Sequence, residues 1–528
     1  MRDFQVPGRS PVHATEGMAA TPNPLATSTA VDVLRRGGNA VDAAVAAAAV
    51  LAVVEPNQTG IGGDCFVLYA PKGQGPLIGL NGSGGAPQAA TAEWYLKRGI
   101  TTMPTYGPHA VTVPGAIDAW ARVVADHGTK GLDELLQPAA RYAEQGFPVH
   151  GRISWEWDQE VDRLRADANA ARIFLPNGRA PKPGDVIRNP QLAATLRRIG
   201  KEGRDGFYAG PVAEDIVACL RQLGGLHTIE DLASNKPEYV TPISTAYRGV
   251  DICQIPPNNQ GITALIMLNI LSGFDLVKLA PLSATRLHLE IEAGRLAYRD
   301  RNAFVADMNT ASVPVEGMLS MDYATQLRGR IDPDRAMTDL PPPLLRKSDT
   351  VYLCVVDRDR NAVSFINSLY HSFGSGIVTS DTGIVLQNRG SDFRIDPSHP
   401  NCIAPGKRPL HTIMPGMAMR AGRALMPFGV MGGGYQPFGH THFLTNVLDF
   451  GCDLQEALDM ARVFYRDGAV LVERGVPKDA VEGLVQRGHR VGLSPEPLGG
   501  GHGIWIDWQS GVLTAGSEPR MDGGAMGY

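Results

Sequence analysis

The sequence is poor in cysteine and has no excess of basic residues. Six cysteines occur in 528 residues, and no two of them form a C-x-x-C pair. A disulfide scaffold and a zinc knuckle are therefore not indicated, and the thiols are predicted to be small buried side chains. Lysine and arginine number 49 against 54 acidic residues, which gives a formal net charge of −5. Without a basic excess to neutralise phosphates, no nucleic-acid partner is expected.

The sequence also lacks a long hydrophobic run. The longest run covers residues 43–54, between Asp42 and Glu55, whereas a membrane-spanning helix needs about 20 apolar residues. This run is predicted to be a buried helix. The N-terminal segment lacks the apolar centre of a secretory signal, so we expect a cytoplasmic protein with no membrane partner.

Several local motifs of known chemistry are absent. There is no G-x-S-x-G, S-x-x-K or H-E-x-x-H, which removes local support for an α/β-hydrolase, a β-lactamase and a zincin. The glycine cluster at residues 60–63 precedes a strand-like segment instead of following one, which disfavours dinucleotide binding. His440 and His442 are two residues apart on a predicted helix and therefore point to roughly opposite faces. We expect no metal and no cofactor.

Another candidate cluster lies on a predicted helix at residues 282–301. It carries His288 and Glu292 with several charged neighbours. A metal or acid–base role is one interpretation, but solvated or paired charges on a helix face are the more common explanation.

Capping residues and breakers place the other helices. Pro24 is typical of a helix start and the glycines at 37–38 of its end, and Asn39 is expected to cap the next helix with Asp42 at its third position. Further helices are predicted at residues 115–126, 132–145, 192–201, 438–449 and 454–463.

The clearest break in composition covers residues 331–349, IDPDRAMTDLPPPLLRKSD. Three consecutive prolines cannot continue a helix or a central strand, so this segment is predicted to be an exposed, mobile linker. Directly after it come VYLCVV, a polar turn and AVSFINSLY, which together predict a β-hairpin whose first strand begins at Thr350.

Thr350 is the remaining candidate for nucleophilic chemistry. A threonine hydroxyl needs a base, and a threonine that becomes N-terminal supplies one in its own α-amine, whose ordinary pKa is roughly 7.7–8.0. The linker before Thr350 and the strand after it fit such a role. The alternative is that Thr350 is only the first residue of a strand, where threonine is common.

The sequence from residue 349 to 393 resembles the start of the small subunit of the γ-glutamyltransferase family. Further matching motifs include GGNAVDAAVA, GIGGDCF, PPNNQGI, EAGRLAYRDR and KRPLHTIMP, in order along nearly the whole chain. The resemblance implies an α+β N-terminal-nucleophile hydrolase fold, an αββα four-layer sandwich of two antiparallel sheets between helical layers. It implies self-cleavage between Asp349 and Thr350. The large subunit (1–349) and small subunit (350–528) would remain together as a heterodimer within one composite domain, and a dimer of these heterodimers stays open.

The resemblance also implies roles for individual residues. Thr350 matches the nucleophile, and Ser368 matches a hydroxyl residue that hydrogen-bonds it and assists processing. Gly432 and Gly433 match the pair whose backbone N–H groups form the oxyanion hole. Asp392 matches the acid that binds the substrate α-amino group in the transferases.

Other positions depart from the transferase pattern. Ser83 stands where an arginine binds the glutamate α-carboxylate, Tyr370 replaces a substrate-contacting asparagine, and His411-Thr412 replaces a serine pair. The γ-glutamyl pocket is therefore predicted not to be intact. Arg389 is a new cation beside Asp392.

With Tyr370, His371, His411 and Thr412, Arg389 could line a smaller pocket for an anion. The alternative is a structural ion pair between Arg389 and Asp392.

These departures favour the oxamate-hydrolysing members of the family. The expected substrate is a small anionic amide, and the expected reaction is hydrolysis of oxamate to oxalate and ammonia, a step in purine-derived nitrogen recovery. The alternatives are a γ-glutamyltransferase or glutathione hydrolase, a glutaryl-type acylase, and an unprocessed, inactive binding homologue.

Overall fold

Two facing antiparallel sheets organise the computed structural model, which describes residues 5, 8–340 and 349–528. The strands, numbered along the chain, are β1 (Val12–Ala14), β2 (Met18–Thr21), β3 (Asp64–Ala70), β4 (Ile78–Gly82), β5 (Phe147–Pro148), β6 (Val186–Ile187), β7 (Glu238–Val240), β8 (Ile243–Tyr247), β9 (Val250–Gln254), β10 (Asp349–Val356), β11 (Ala362–Tyr370), β12 (Gly416–Arg420), β13 (Arg423–Met431), β14 (Val463–Arg466), β15 (Ala469–Val472), β16 (Val491–Leu493), β17 (Gly500–Ile506), β18 (Leu513–Ser517) and β19 (Gly524–Gly527).

Helices cover the outer faces of both sheets. They are α1 (Pro24–Arg35), α2 (Ala40–Val54), α3 (Ala92–Leu96), α4 (Ala116–His127), α5 (Leu132–Leu135), α6 (Gln137–Gln145), α7 (Gly151–Asp158), α8 (Val161–Arg165), α9 (Ala168–Phe174), α10 (Pro190–Glu202), α11 (Asp205–Tyr208), α12 (Gly210–Gln222), α13 (Ile229–Ser234), α14 (Gly261–Leu271), α15 (Ala284–Phe304), α16 (Val315–Leu319), α17 (Met321–Arg328), α18 (Gln436–Leu448), α19 (Leu454–Asp459) and α20 (Lys478–Gln486).

The order of the layers confirms the αββα sandwich. One sheet has the order β1-β18-β17-β13-β12-β9-β8 and the other β19-β2-β10-β11-β3-β4-β7. Side chains of both sheets, such as Phe66 and Tyr352 facing Met417 and Ile504, form one buried cluster between them. A second cluster joins the β10 sheet to α1, α2 and their neighbours, and a third joins the β13 sheet to α14, α15 and α18. The two apolar faces of each sheet are thus buried against different partners.

The strand that begins at Thr350 lies inside its sheet. β10 pairs with β2 on one side and with β11 on the other. The described residues before 341 contribute β2, β3, β4 and β7 to this sheet, and those after 348 contribute β10, β11 and β19. Both parts of the chain therefore share one sheet and one core.

Local sequence explains the helices nearest the site. Asn23 caps α1, which starts with Pro24. Asn39 and Asp42 form a reciprocal capping box at the start of α2, and all fifteen residues of α2 are buried. The predicted positions of these helices and the hairpin of β10 and β11 are confirmed.

Three expectations differ from the structure. The predicted helix at 132–145 is two helices, because Pro138 occupies the first turn of a new helix. The helix predicted at 454–463 ends at Asp459, and Val463 begins β14. The predicted linker is exposed at 332–335 and 338–339 but anchored between them, because Ala336 is buried and Ala336 and Met337 donate backbone hydrogen bonds to Arg487 and Glu292. Residues 341–348, with the three prolines, lie outside the described residues.

The cysteines only partly fit the expectation of burial. Cys65, Cys253 and Cys354 are buried, the other three are partly exposed, and all six are free thiols. No helix in the described part of the chain combines the length and apolarity needed to cross a bilayer.

Candidate active site

The predicted nucleophile sits at the start of β10 beside a second hydroxyl. Thr350 is buried, and its Oγ1 lies 3.2 Å from the Oγ of Ser368 on β11. The pairing register of the two strands shifts between Asp349 and Val351, so Thr350 falls at an irregularity in the ladder. Ser368 Oγ also accepts the backbone N–H of Tyr370 at 2.8 Å. One hydroxyl therefore contacts both the predicted nucleophile, Thr350, and the backbone of Tyr370.

Removing the Ser368 hydroxyl should slow chain cleavage more than it disturbs folding. In Ser368→Ala, Thr350 loses its hydroxyl neighbour and we expect processing to be at least about 10-fold slower, the size of effect typical of a lost positioning contact. Ser368→Thr should restore most of the rate because it keeps the oxygen. Gel time courses of the two variants measure this, and equal rates in Ser368→Ala and wild type would contradict it.

The glycine pair lies where β13 ends. Gly432 has φ +117° and Gly433 has φ +53°, and a Cβ on Gly432 would approach the Cα of Gly499 to 2.9 Å. Gly432 and Thr350 line the same cleft. A side chain at Gly432 is thus excluded by the close approach of Gly499 and by the positive φ.

Gln260 contacts the second glycine of the pair and was not predicted as a site residue. Its Nε2 donates to the carbonyls of Thr412 at 2.6 Å and Gly433 at 2.9 Å. Its Oε1 accepts from the buried guanidinium of Arg301 at 2.8 Å. Gln260 stands within the PPNNQGI motif, so the only sequence signal was the motif itself.

Arg389 and its neighbours form one buried network. The 3-10 turn Arg389–Asp392 places Arg389 fully buried, with Nη1 donating to Thr412 Oγ1 at 2.7 Å and lying 3.6 Å from Asp392 Oδ2. The ring of Tyr370 covers the guanidinium at 3.8 Å, and its hydroxyl donates to Asp392 Oδ1 at 2.7 Å. Tyr370 has φ +84°, a backbone conformation that is uncommon for a bulky residue.

One edge of the Arg389 guanidinium makes no hydrogen bond within the part of the chain that the structure describes. Nε and Nη2 are buried and make no hydrogen bond to any described residue, and the same holds for Asp392 Oδ2. Nε and Nη2 form the planar edge that binds a carboxylate through two parallel hydrogen bonds. Burial lowers the pKa of Arg389, and Asp392 and Tyr370 act in the opposite direction. Arg389 therefore keeps its ion pair with Asp392 and also has a complete Nε–Nη2 edge for binding a carboxylate.

His411 takes a structural position next to this network. Its Nε2 lies 2.9 Å from Asp64 Oδ2, and burial together with Arg389 lowers the pKa of His411 to about 3. A neutral imidazole thus donates to the Asp64 carboxylate. Asp64 Oδ1 also accepts from Gly84, Gly115 and Gln387. Asp64 joins four distant segments, a role that the sequence analysis missed.

The two other positions noted in the sequence have protein partners. Ser83 Oγ donates to Asn81 and accepts from Asn258. The backbone N–H of His371 donates to Asn388, and its ring packs on Tyr370 with centroids 4.4 Å apart.

A group of three residues in the described chain could hold a metal ion, namely His288, Glu292 and His489. His288 Nε2 lies 2.8 Å from the Asp332 carbonyl, and its Nδ1 lies 2.8 Å from His489 Nε2. Glu292 accepts from Arg295 and from the Met337 backbone. These hydrogen bonds occupy the same atoms that a metal would use.

His440 and His442 contact Gln254 and Glu290 respectively, as expected for residues on different helix faces.

Known proteins resemble this chain over almost its full length. A family model described as gamma-glutamyltranspeptidase matches residues 26–528. The chain is 38% identical over 526 residues to the glutathione hydrolase-like YwrD proenzyme of Bacillus subtilis (strain 168), covering 98% of this chain and 99% of the relative. It is 35% identical over 534 residues to the oxamate amidohydrolase proenzyme of Klebsiella pneumoniae subsp. pneumoniae, with the same coverage. A solved structure, cephalosporin acylase from Bacillus halodurans, is 42% identical with a TM-score of 0.94, covering 100% of this chain and 99% of that one.

Proposed function

This chain belongs to the gamma-glutamyltranspeptidase family, and from that premise we propose that it is a self-processing amidohydrolase whose nucleophile is Thr350. The observation that carries the proposal is the buried pair of Thr350 Oγ1 and Ser368 Oγ, 3.2 Å apart, which shares a cleft with Gly432. The relatives named above as proenzymes support a chain that is cut to become active. Cleavage before Thr350 would give fragments of about 37 and 19 kDa, scaled by length.

Processing uses the same hydroxyl as the later reaction. Thr350 Oγ1 attacks the carbonyl carbon of Asp349, the C–N bond to Thr350 breaks, and an ester links the two residues. Water then hydrolyses the ester, which leaves the Asp349 carboxylate and a free Thr350 α-amine. Ser368 positions the attacking oxygen during this step.

In the mature enzyme the Thr350 α-amine accepts the proton of its own hydroxyl. The oxygen attacks the substrate amide carbon, and the backbone N–H groups of Gly432 and Gly433 stabilise the negatively charged oxygen. The C–N bond breaks, the leaving amine takes the proton, and an acyl ester remains. Water, deprotonated by the α-amine, hydrolyses this ester to a carboxylate and regenerates Thr350.

We assign recognition of the acyl part to Arg389. Its Nε–Nη2 edge, which makes no hydrogen bond to a described residue, suits one carboxylate, and Tyr370 and Thr412 contact the same guanidinium. Oxamate has one carboxylate directly beside the amide carbon and no α-amino group, so it is our first candidate substrate. Because Arg389 is fully buried, neighbouring side chains have to move for an anion to reach this edge.

Arg389→Lys tests this assignment. Lysine keeps the positive charge beside Asp392 but presents a point charge in place of a two-donor edge. We expect kcat/KM for ammonia release from oxamate to fall by about 10²–10³-fold, while the chain is still processed. Arg420→Lys, at an exposed position, is the matched control. Unchanged kcat/KM in processed Arg389→Lys would refute the role of Arg389.

A second candidate function is hydrolysis of γ-glutamyl amides. It is favoured by Asp392 Oδ2, which accepts no hydrogen bond from a described residue and could bind a substrate α-amino group. A panel of oxamate, glutamine, glutathione and glutaryl amides, assayed with intact mass on the same sample, separates the candidates. A chain that stays at about 56 kDa and releases no amine would favour the inactive homologue.

A further inference from the structure

The loop before β17 packs closely against the first glycine of the pair at the end of β13. Leu498 and Gly499 belong to this loop, and both line the cleft that contains Thr350 and Gly432. A Cβ on Gly432 would lie 2.9 Å from the Gly499 Cα, and a Cβ on Gly499 would overlap the Met431 carbonyl oxygen. Two backbones this close leave each other no room to shift, so the loop limits where Gly432 can lie.

Two side chains hold the backbone of Leu498 in this loop. The Leu498 N–H donates to Glu473 Oε1 at 2.9 Å, and the Leu498 carbonyl accepts from Arg462 Nη1 at 2.8 Å. Glu473 directly follows β15 and Arg462 directly precedes β14, and these two strands pair with each other. One hairpin therefore holds both polar groups of the residue next to Gly499.

A buried ring of alternating charges fixes the orientation of Glu473. Arg520 donates to both oxygens of Glu473, at 3.0 and 2.8 Å, and to Glu518 Oε1 at 2.9 Å. Arg462 closes the ring by donating to Glu518 Oε2 at 2.6 Å. Burial opposes ionisation of Glu518, but Arg462 and Arg520 lower its pKa to about 2. Charge-assisted hydrogen bonds of this kind hold side chains in one geometry, and in that geometry Glu473 reaches Leu498.

The contacts lead from Glu473 through Leu498 and Gly499 to Gly432, whose backbone N–H the proposed function assigns to the oxyanion hole. We infer that Glu473 is a positioning residue for this reaction, because it holds the loop against Gly432 and keeps that N–H in place. A fixed donor stabilises the charged transition state more than the bound substrate. Loss of the contact should therefore lower kcat and leave KM nearly unchanged. The inference rests on the proposed oxyanion hole and adds a residue that does not line the cleft.

The test compares processed full-length variants on the amide that wild type hydrolyses best, with rates given per mole of processed chain. In Glu473→Ala the Leu498 N–H loses its acceptor, and we expect kcat to fall at least about 10-fold with KM within about 2-fold of wild type. Glu473→Gln keeps an oxygen within reach of that N–H and should have a kcat at least about 3-fold above that of Glu473→Ala. Asp449→Ala is the matched control. It breaks another buried carboxylate–arginine pair, with Arg248, just after α18, and should leave kcat as in wild type.

Gly499→Ala reaches the same contact from the other side. A Cβ at this position displaces the loop from Met431, while the four charged side chains keep their partners. We expect the same fall in kcat, again with KM nearly unchanged. This variant gives the answer if Glu473→Ala does not fold.

The possible results separate the positioning role from the proposed function. A kcat in Glu473→Ala equal to that of Asp449→Ala, or an unchanged kcat in Gly499→Ala, would overturn the positioning role and leave the proposed function standing. A fall in kcat that Glu473→Gln does not recover would assign the effect to the charge of the ring and would also overturn it. If processed wild type hydrolyses no amide, the proposed function itself fails and the inference fails with it.

Discussion

Replacing Thr350 with alanine is expected to leave a single chain of about 56 kDa without amidase activity. The substitution removes the oxygen that would attack Asp349 and, in the mature enzyme, the substrate. The removed oxygen is the one that lies 3.2 Å from Ser368 Oγ across the strands. We expect activity to fall by at least about 10⁴-fold, the scale seen when a nucleophile is removed. Denaturing gels and ammonia release measure the two effects on one sample.

Thr350→Ser is the informative companion variant. It retains the hydroxyl and loses one methyl group, so processing should continue at a reduced rate.

N-terminal sequencing of the active wild type should return Thr-Val-Tyr-Leu beside the original N-terminus. An unprocessed Thr350→Ala protein that still releases ammonia would refute the mechanism, and so would an active wild type with only its methionine end.

Local features of the fold were predictable because their causes are local. The Asn39–Asp42 capping box and the proline start of α1 depend on residues within four positions of each other. The order of the strands within each sheet was not predictable from hydrophobic periodicity. β10 pairs with β2, which lies more than 300 positions away in the sequence. The family resemblance supplied the two antiparallel sheets between helical layers, but not this pairing of strands. The break at Pro138 was visible in the sequence and was missed.

In the candidate site, too, local contacts were predictable from the sequence and contacts between distant segments were not. The hairpin brings Thr350 opposite Ser368 through pairing of neighbouring strands, so the sequence could place these two together. The hydrogen bond between Asp64 and His411 joins residues 347 positions apart, and no pattern in either segment indicates it. Gln260 likewise acts through Arg301, Thr412 and Gly433 from other segments. Contacts between such distant segments can be identified only once the fold is known.

The protein is expected to lose stability steeply as the pH falls from about 6.5 to about 4.5. Burial lowers the pKa of five histidines. The pKa is about 4 for His227 and about 3 for His411, His440, His489 and His502. The unfolded chain binds protons at these groups near pH 6.5, whereas the folded protein keeps them neutral. Between the two pKa values the unfolded state holds more protons, so acid favours unfolding.

Carboxyls whose pKa is raised by burial act in the opposite direction, and Glu55 is the clearest case. Burial and the neighbouring Glu156 raise the pKa of Glu55 to about 8, so the folded state holds this proton while the unfolded state releases it above about pH 4.5. For these six groups alone, Glu55 offsets one histidine, which leaves a difference of four protons, or about 5 kcal/mol per pH unit. With an unfolding entropy on the order of 1 kcal/mol/K for this length, Tm should fall by about 5 °C per pH unit.

His502→Gln should reduce this pH dependence by one proton. His502 is fully buried, and Arg9 and Arg462 add to the effect of burial in lowering its pKa, whereas Glu518 raises it. A glutamine cannot titrate, so the slope of stability against pH should fall by about 1.4 kcal/mol per pH unit. His13→Gln is the matched control, because His13 is exposed. Calorimetric scans at pH 7, 6 and 5 measure the three proteins. A Tm that stays constant over this range in wild type would contradict the account, since the buried imidazoles would then be protonated in the folded state as readily as in the unfolded one.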